Sequence, residues 1–104
     1  MKALRILVVG GITRLEPYYR DAPPGVDVDI AFVDSGSLEA RAQAADGIVL
    51  VVGVVSHSAA AKVKDISRRR GTPLLTASGP SVSRVRASIA TASRAAASRS
   101  ASVH

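Results

Sequence analysis

Four short apolar runs, separated by polar segments, organise the chain. They cover residues 3–9, 26–33, 48–55 and 73–77. Runs of this length that are rich in Val, Ile and Leu are typical of β-strands. The first ends at Gly10-Gly11, which indicates a tight turn, whereas the third, IVLVVGVV, carries no charge and predicts a central strand covered on both faces. In the second run Asp27 and Asp29 alternate with apolar residues, which predicts an edge strand with one exposed face.

The segments between and after these runs predict four helices, at residues 14–22, 37–45, 59–70 and 82–97. The first would take Thr13 as its N-cap and carry Pro17 in its first turn. The third is the best marked, because polar residues 56–58 offer caps at its start while three arginines, Gly71 and Pro73 close it. In the fourth, apolar residues recur at helical spacing.

Alternation of four strands with four helices predicts a single three-layer α/β domain with a parallel sheet and helices on both faces. The uncharged third run and the half-polar second run favour the strand order 2-1-3-4, as in flavodoxin-like folds. The domain is expected to cover residues 1–97. Residues 98–104, which contain Ser, Ala, Arg, Val and His without a core pattern, are expected to form a flexible tail.

The net charge is +6, and it is unevenly distributed. Residues 1–50 carry seven acids and five bases, whereas residues 51–104 carry nine bases and a single acid, Asp65. This asymmetry favours an anionic partner for the second half, or a basic face that serves solubility. The three arginines at 68–70 suit nucleic-acid phosphates, but they also complete a helix end. Because aromatic residues for base stacking make up only 3% of the chain, nucleic acid is not favoured.

Composition excludes several classes of function. The chain contains no cysteine, so disulfides, thiolate metal sites and cysteine nucleophiles are ruled out. Its longest apolar run, residues 48–55, is less than half of the roughly 20 residues that span a bilayer. No signal-peptide pattern opens the chain. We therefore expect a cytoplasmic protein without membrane contact.

Candidate ligand-binding residues follow the predicted strands. In an open α/β sheet, ligands bind outside the carboxyl ends of the strands where the strand order reverses, here between the first and third strands. The glycines, short polar residues and bases expected at this crevice or its rim are Gly10, Gly11, Thr13, Arg14, Asp34, Ser35, Ser56, His57, Ser58, Lys64, Ser78 and Ser81. Helix N-termini there would favour phosphate or carboxylate. The alternative for Ser56, Ser58 and Ser81 is simple N-capping.

Two of these residues carry a sharper hypothesis. Arg14 would occupy a first helical turn, where its charge opposes the helix dipole unless an anion is bound. His57, at a helix N-terminus, should be neutral near pH 7 and able to ligate a metal or act as a base. An enzyme would need His57 and Asp34 within about 3 Å of each other, directly or through one water. The alternative for His57 is a surface or capping residue.

Several short motifs occur together in an order that marks a family. They are Val9-Gly10-Gly11 with Arg14, Tyr19-Arg20, Asp34 with Gly36, Ala45-Asp46, Val55-Ser56-His57, Val63-Lys64, Gly71 with Pro73, and Ser81. With these motifs, over about residues 4–89, the chain resembles the bacterial family known as domain of unknown function 2325. The combination V-S-H…V-K…G-x-P is its specific part.

The resemblance implies a small flavodoxin-like α/β fold with a shared pocket. Haem or metal binding has been suggested within the family, which would make His57 an axial or metal ligand. This chain departs from many relatives, because Val33 replaces a histidine, Gly53-Val54 replace Asp-Cys and Ser67 replaces a helix cysteine. A thiol or redox role is therefore not expected here. One imidazole cannot hold zinc without partner ligands.

Three functional hypotheses remain open at this point. The preferred one is a non-catalytic binding or regulatory module for an anionic small molecule, because potential donors converge while no nucleophile or acid–base pair is evident. The others are a haem-binding protein that uses His57 and an enzyme that pairs Asp34 with His57. A homodimer is expected, since a four-stranded sheet leaves two exposed edges.

Overall fold

The computed structural model describes residues 3–32 and 36–101. A four-stranded sheet lies at its centre, formed by β1 (Leu4–Val9), β2 (Val26–Ala31), β3 (Gly47–Val51) and β4 (Leu74–Ala77). All three strand pairs are parallel, and the order is β2-β1-β3-β4. The α/β class and the predicted strand order are confirmed.

Helices cover both faces of this sheet. They are α1 (Glu16–Tyr19), α2 (Leu38–Ala44), α3 (His57–Arg70) and α4 (Val82–Ala101), and a 3₁₀ turn at Thr13–Leu15 precedes α1. One face is covered by α1 and α4, whose buried side chains join Ile6, Val8 and Val49 in one core cluster. The other face is covered by α2 and α3, which pack with Leu7, Val9 and Leu50. Alternate residues of each strand thus serve two cores, which confirms the three-layer architecture.

The third strand is shorter than its apolar run predicts. All five residues of β3 are buried, as expected for a central strand, but the strand ends at Val51. Beyond it Gly53 adopts φ +92°, and Val52 and Val54 are 51% and 37% exposed. A positive φ at Gly53 breaks the extended conformation, so the second half of the run forms a loop at the carboxyl end of the sheet. Hydrophobicity alone gave no signal for this turn.

Helix boundaries also differ from the expectations. Thr13 is not an N-cap: it opens the 3₁₀ turn, and Leu15 precedes the four-residue α1, which carries Pro17 in its first turn as predicted. Helix α3 begins at His57 rather than Ala59. Helix α4 continues to Ala101, beyond its predicted end near residue 97. Near that end Arg99 donates a hydrogen bond to the Arg70 carbonyl (2.8 Å), a tertiary contact that no local pattern reveals.

The alternation of Asp with apolar residues predicts one exposed face for β2, but that polar face is only partly exposed. Asp29 lies under α2 and forms a bidentate ion pair with Arg41, with N–O distances of 2.6 and 2.9 Å. Arg41 also donates to the Ile30 carbonyl (2.7 Å). This fork of charge-assisted hydrogen bonds joins α2 to the edge strand and holds the pKa of Asp29 below its ordinary value.

Candidate functional site

A crevice opens at the carboxyl edge of the sheet, on the side of α2 and α3. Its volume is about 300 Å³, and its walls come from the ends of β1 and β2, the loop after β3 and the first turn of α3. The lining residues are Val9, Gly10, Ala31, Phe32, Val55, Ser56 and Ala59. The sequence predicts a crevice between the first and third strands. The crevice described here is lined by the end of β1 and the segment after β3, and also by Ala31 and Phe32 at the end of β2.

The start of α3 supplies the polar part of the crevice. Ser56 is the N-cap: its backbone is extended (φ −70°, ψ 153°), and its Oγ accepts a hydrogen bond from the Ala59 N–H at 3.1 Å. The predicted capping role of Ser56 and its place in the crevice therefore coexist. His57 and Ser58 follow it as exposed residues of the first turn, which contains no acid. First-turn N–H groups have no carbonyl partner within a helix, so this end of α3 is electropositive.

The two glycines after β1 allow the loops of the edge to approach closely. Gly10 and Gly11 adopt φ +99° and +109°, which side chains of L-residues rarely tolerate. A Cβ on Gly10 would lie 3.1 Å from the Val54 carbonyl oxygen, and a Cβ on Gly11 would lie 2.9 Å from the Tyr19 ring. Gly10 is thus packed against the loop after β3, and Gly11 against α1.

Tyr19 joins two of these loops from the opposite face of the sheet. It is fully buried, and its hydroxyl accepts a hydrogen bond from the Ile12 N–H (3.2 Å) while donating one to the Pro80 carbonyl (2.5 Å). The loop after β1 is thereby fixed to the loop before α4. Sequence reasoning did not assign Tyr19 to the site. The sequence signal for Tyr19 is weak. It consists only of an aromatic residue in a chain with three of them, within a helix of four residues.

Several predicted site residues follow β1 and β4 on this opposite side of the edge. Thr13, Arg14 and Ser78 are exposed, and among the described residues none of their side chains has a hydrogen-bond or salt-bridge partner. Ser81 precedes α4, and its Oγ accepts a long hydrogen bond from the Arg84 N–H at 3.4 Å. The structure therefore brings these residues to the same edge as Ser56 but does not place them in the crevice wall.

Three further predicted site residues are Lys64, on α3, and Asp34 and Ser35, which follow β2 in sequence. Lys64 is exposed on α3 seven residues after His57, about two helical turns away, and so points along the same side of the helix. Asp34 and Ser35 lie outside the described residues. In the sequence, a single residue separates Asp34 from Phe32 of the crevice wall. The pairing of Asp34 with His57 therefore stays a prediction.

The described residues do not fit a metal or haem. Within residues 3–32 and 36–101 no group of three or more His, Asp or Glu side chains is arranged to hold a metal ion. His57 is exposed and is the sole imidazole in that part of the chain. The adjoining crevice, at about 300 Å³, is at the lower end of the range for small-molecule pockets. A haem plane needs a far larger apolar slot than this crevice offers.

Fold and crevice together define the class of the protein: a three-layer α/β domain with a parallel sheet and a small cleft where its strands end. The chain belongs to the family described as an uncharacterized protein conserved in bacteria (DUF2325), which it matches over residues 5–92. This match confirms the resemblance drawn from the motifs. Comparisons with curated proteins and with solved structures returned no match. Over the described part of the chain, no helix combines the length and apolarity needed to cross a bilayer.

Proposed function

We propose that this domain is a non-catalytic binding module that holds a small anionic ligand, a phosphate or a carboxylate, in the crevice beside Ser56. The observation that carries the proposal is the position of α3. The N-terminus of this 14-residue helix opens into the crevice formed with β1 and β2. An anion there would meet the positive end of the helix dipole.

Charge and shape support the same class of ligand. The first turn of α3 contains no acid, and the exposed Lys64 adds a positive charge on the same helix. The walls are mostly Val, Ala and Phe, and the volume is about 300 Å³. The ligand is therefore small, with one anionic group directed at α3 and a compact apolar remainder.

A thermal-shift titration tests this proposal. Inorganic phosphate, small carboxylates and nucleoside monophosphates are added separately to the purified protein. A ligand that binds only the folded state raises the midpoint of unfolding in proportion to the logarithm of its concentration. We expect at least one of these compounds to do so in the millimolar range or below. A flat response to all of them would overturn the proposal.

A matched pair of variants locates the site. His57→Glu places a carboxylate at the start of α3, where it satisfies the helix dipole and competes with a bound anion. His57→Gln removes the imidazole without adding charge. We expect His57→Glu to unfold at a higher temperature than the parent and to lose its ligand response, while His57→Gln keeps the response. An equal response in both variants would place the ligand elsewhere.

A further inference from the structure

The two edges of the sheet differ in whether side chains bond to their outward backbone groups. Gly25, just before β2, accepts a hydrogen bond from Leu4, and Ala31 at the end of β2 accepts one from Gly10. Backbone groups alternate in direction along a strand, so Val28 and Ile30 direct their carbonyls outward. Both outward carbonyls are occupied. Arg20 donates to the Val28 carbonyl (2.8 Å), and Arg41 donates to the Ile30 carbonyl (2.7 Å). Two arginine side chains thus lie across this edge and obstruct pairing with another strand.

The edge formed by β4 has no such cover. Pro73 accepts a hydrogen bond from Ile48, and Ala77 accepts one from Val52, which directly follows β3. Leu74 and Thr76 therefore direct their N–H and C=O groups outward. Within residues 3–32 and 36–101 nothing donates to or accepts from these outward groups. The strand carries neither a charged residue nor an internal proline, which are the usual devices that block an edge. It is therefore ready to accept a further strand.

The surroundings of β4 are strongly basic. No Asp or Glu follows Asp65, whereas seven arginines do. Before the strand, Arg99 lies 3.9 Å from the position of a Cβ on Gly71 and bonds to the Arg70 carbonyl. After the strand, the guanidinium of Arg84 lies 3.4 Å from the position of a Cβ on Gly79. Arginines therefore flank the open edge at both ends.

We propose that the outer edge of β4 binds an extended acidic segment of another protein as a fifth strand of the sheet. The outward groups of Leu74 and Thr76 supply main-chain hydrogen bonds, which give affinity without side-chain specificity. Arg84 at one end and the arginines near Gly71 at the other select carboxylates, by charge and by their fork of donors. A second copy of this chain fits less well, because edge-to-edge pairing would bring the same arginines against each other.

The test uses two capped synthetic peptides, one in which Glu alternates with Val and one in which Lys replaces each Glu. We expect the acidic peptide to bind, the basic peptide not to bind, and added salt to weaken the complex. Hydrogen exchange of the Leu74 and Thr76 amides should slow when the acidic peptide is present. Absence of binding, or protection confined to other strands, would overturn the proposal.

Variants separate the two sources of affinity. Thr76→Pro removes an outward N–H that β3 does not use, whereas Thr76→Val keeps it, so only the proline variant should lose about tenfold or more in affinity. Arg84→Glu should weaken binding of the acidic peptide. Arg86→Glu makes the same charge change on the far side of α4, beside Asp21, and should leave binding within about twofold of the parent.

Two outcomes would contradict the inference even if the peptide binds. Equal affinity of the Arg84→Glu and Arg86→Glu variants would show that net charge, rather than the edge, attracts the peptide. Light scattering that finds the free protein dimeric, with the dimer lost in Thr76→Pro, would assign the edge to a second copy. If Thr76→Pro does not fold, the Arg84 and Arg86 pair and the hydrogen-exchange experiment still decide.

Discussion

Tyr19 shows how a single side chain can organise a loop-built site. Its ring packs under Gly11, and its hydroxyl is shared between the Ile12 N–H and the Pro80 carbonyl. The residue therefore couples the segments after β1 and β4. A chain with so few aromatic residues relies on this one to fill the space between two loops.

Removing only the Tyr19 hydroxyl is a clean test of that coupling. In Tyr19→Phe the ring still fills its space, but the Ile12 N–H and the Pro80 carbonyl lose their partner. We expect the free energy of unfolding to fall by about 2 kcal/mol, the cost of unpaired, partly buried polar groups. Denaturant unfolding followed by circular dichroism measures this change. A loss below about 0.5 kcal/mol would show that water replaces the hydroxyl at no cost.

The ion pair of Asp29 and Arg41 predicts a pH dependence. Hydrogen bonds from Arg41 lower the pKa of Asp29 in the folded state. Such a carboxylate stabilises the fold above its unfolded pKa, near 4, and this stabilisation is lost as the pH falls through the folded value. The parent should therefore be more stable than Asp29→Asn at pH 7, and the difference should shrink below about pH 4. Urea unfolding at a series of pH values measures it, and a constant difference would contradict the assignment.

At the scale of elements, helix ends decide how the chain is divided. The third apolar run becomes a strand and then a loop because Gly53 turns the backbone, and α3 can begin at His57 only because Ser56 is extended. The most precise sequence prediction at this scale concerned the end of α3. Gly71 adopts the left-handed conformation (φ +69°), and its N–H bonds to the Ser67 carbonyl, as the Arg-rich, Gly-terminated pattern indicated.

Two serines at helix starts should differ in their contribution to stability. Ser56 Oγ accepts from the Ala59 N–H at 3.1 Å, whereas Ser81 Oγ accepts from the Arg84 N–H at 3.4 Å. We expect Ser56→Ala to cost about 1 kcal/mol and Ser81→Ala clearly less, because the longer bond is weaker. Both variants can be compared by denaturant unfolding. A larger loss for Ser81→Ala would show that the N-cap of α4 is the stronger one.

At the scale of the whole molecule, the sheet has one obstructed edge and one open edge. Arg20 and Arg41 reach the outward carbonyls of β2 from two different helical segments, one on each side of the strand in sequence. The asymmetry gives the domain one direction in which it can extend. It also limits edge-to-edge aggregation, to which a small sheet is otherwise exposed.

Opening the β2 edge should change the association state. In the double variant Arg20→Ala, Arg41→Ala the outward carbonyls of Val28 and Ile30 become free, so we expect concentration-dependent self-association. The double variant Arg68→Ala, Arg69→Ala removes the same charge from exposed pairs with Asp65 and serves as the control. Sedimentation velocity on samples with a folded circular dichroism spectrum measures the effect. Equal behaviour of the two variants would refute a protective role of Arg20 and Arg41.

Local pattern was sufficient to determine the class of fold. The period of the apolar residues and the Gly and Pro punctuation predict four strands and four helices, because these signals depend on residues close together in sequence. The uncharged third run and the half-polar second run favoured the order 2-1-3-4, because they indicate which strand is central and which lies at an edge. The same signals indicated Ser56 as a capping residue, which the structure shows, and they led us to expect a site at the carboxyl edge. The motifs V-G-G and V-S-H indicated the family that the comparison confirmed.

Contacts between distant segments were decided only by tertiary structure. The sharing of Tyr19 between Ile12 and Pro80, the cover of β2 by Arg20 and Arg41, and the extension of α4 past Arg99 all depend on which side chains meet across the sheet. Neither the periodicity nor the propensity of the sequence predicts these contacts, because the contacts arise from the packing of two helices on each face of the sheet. For the same reason the sequence could place Gly10, Arg14, Ser56 and Ser81 at the carboxyl edge, but could not tell which of them line the crevice. Gly10 and Ser56 do so together with Phe32, whereas Arg14 and Ser81 do not.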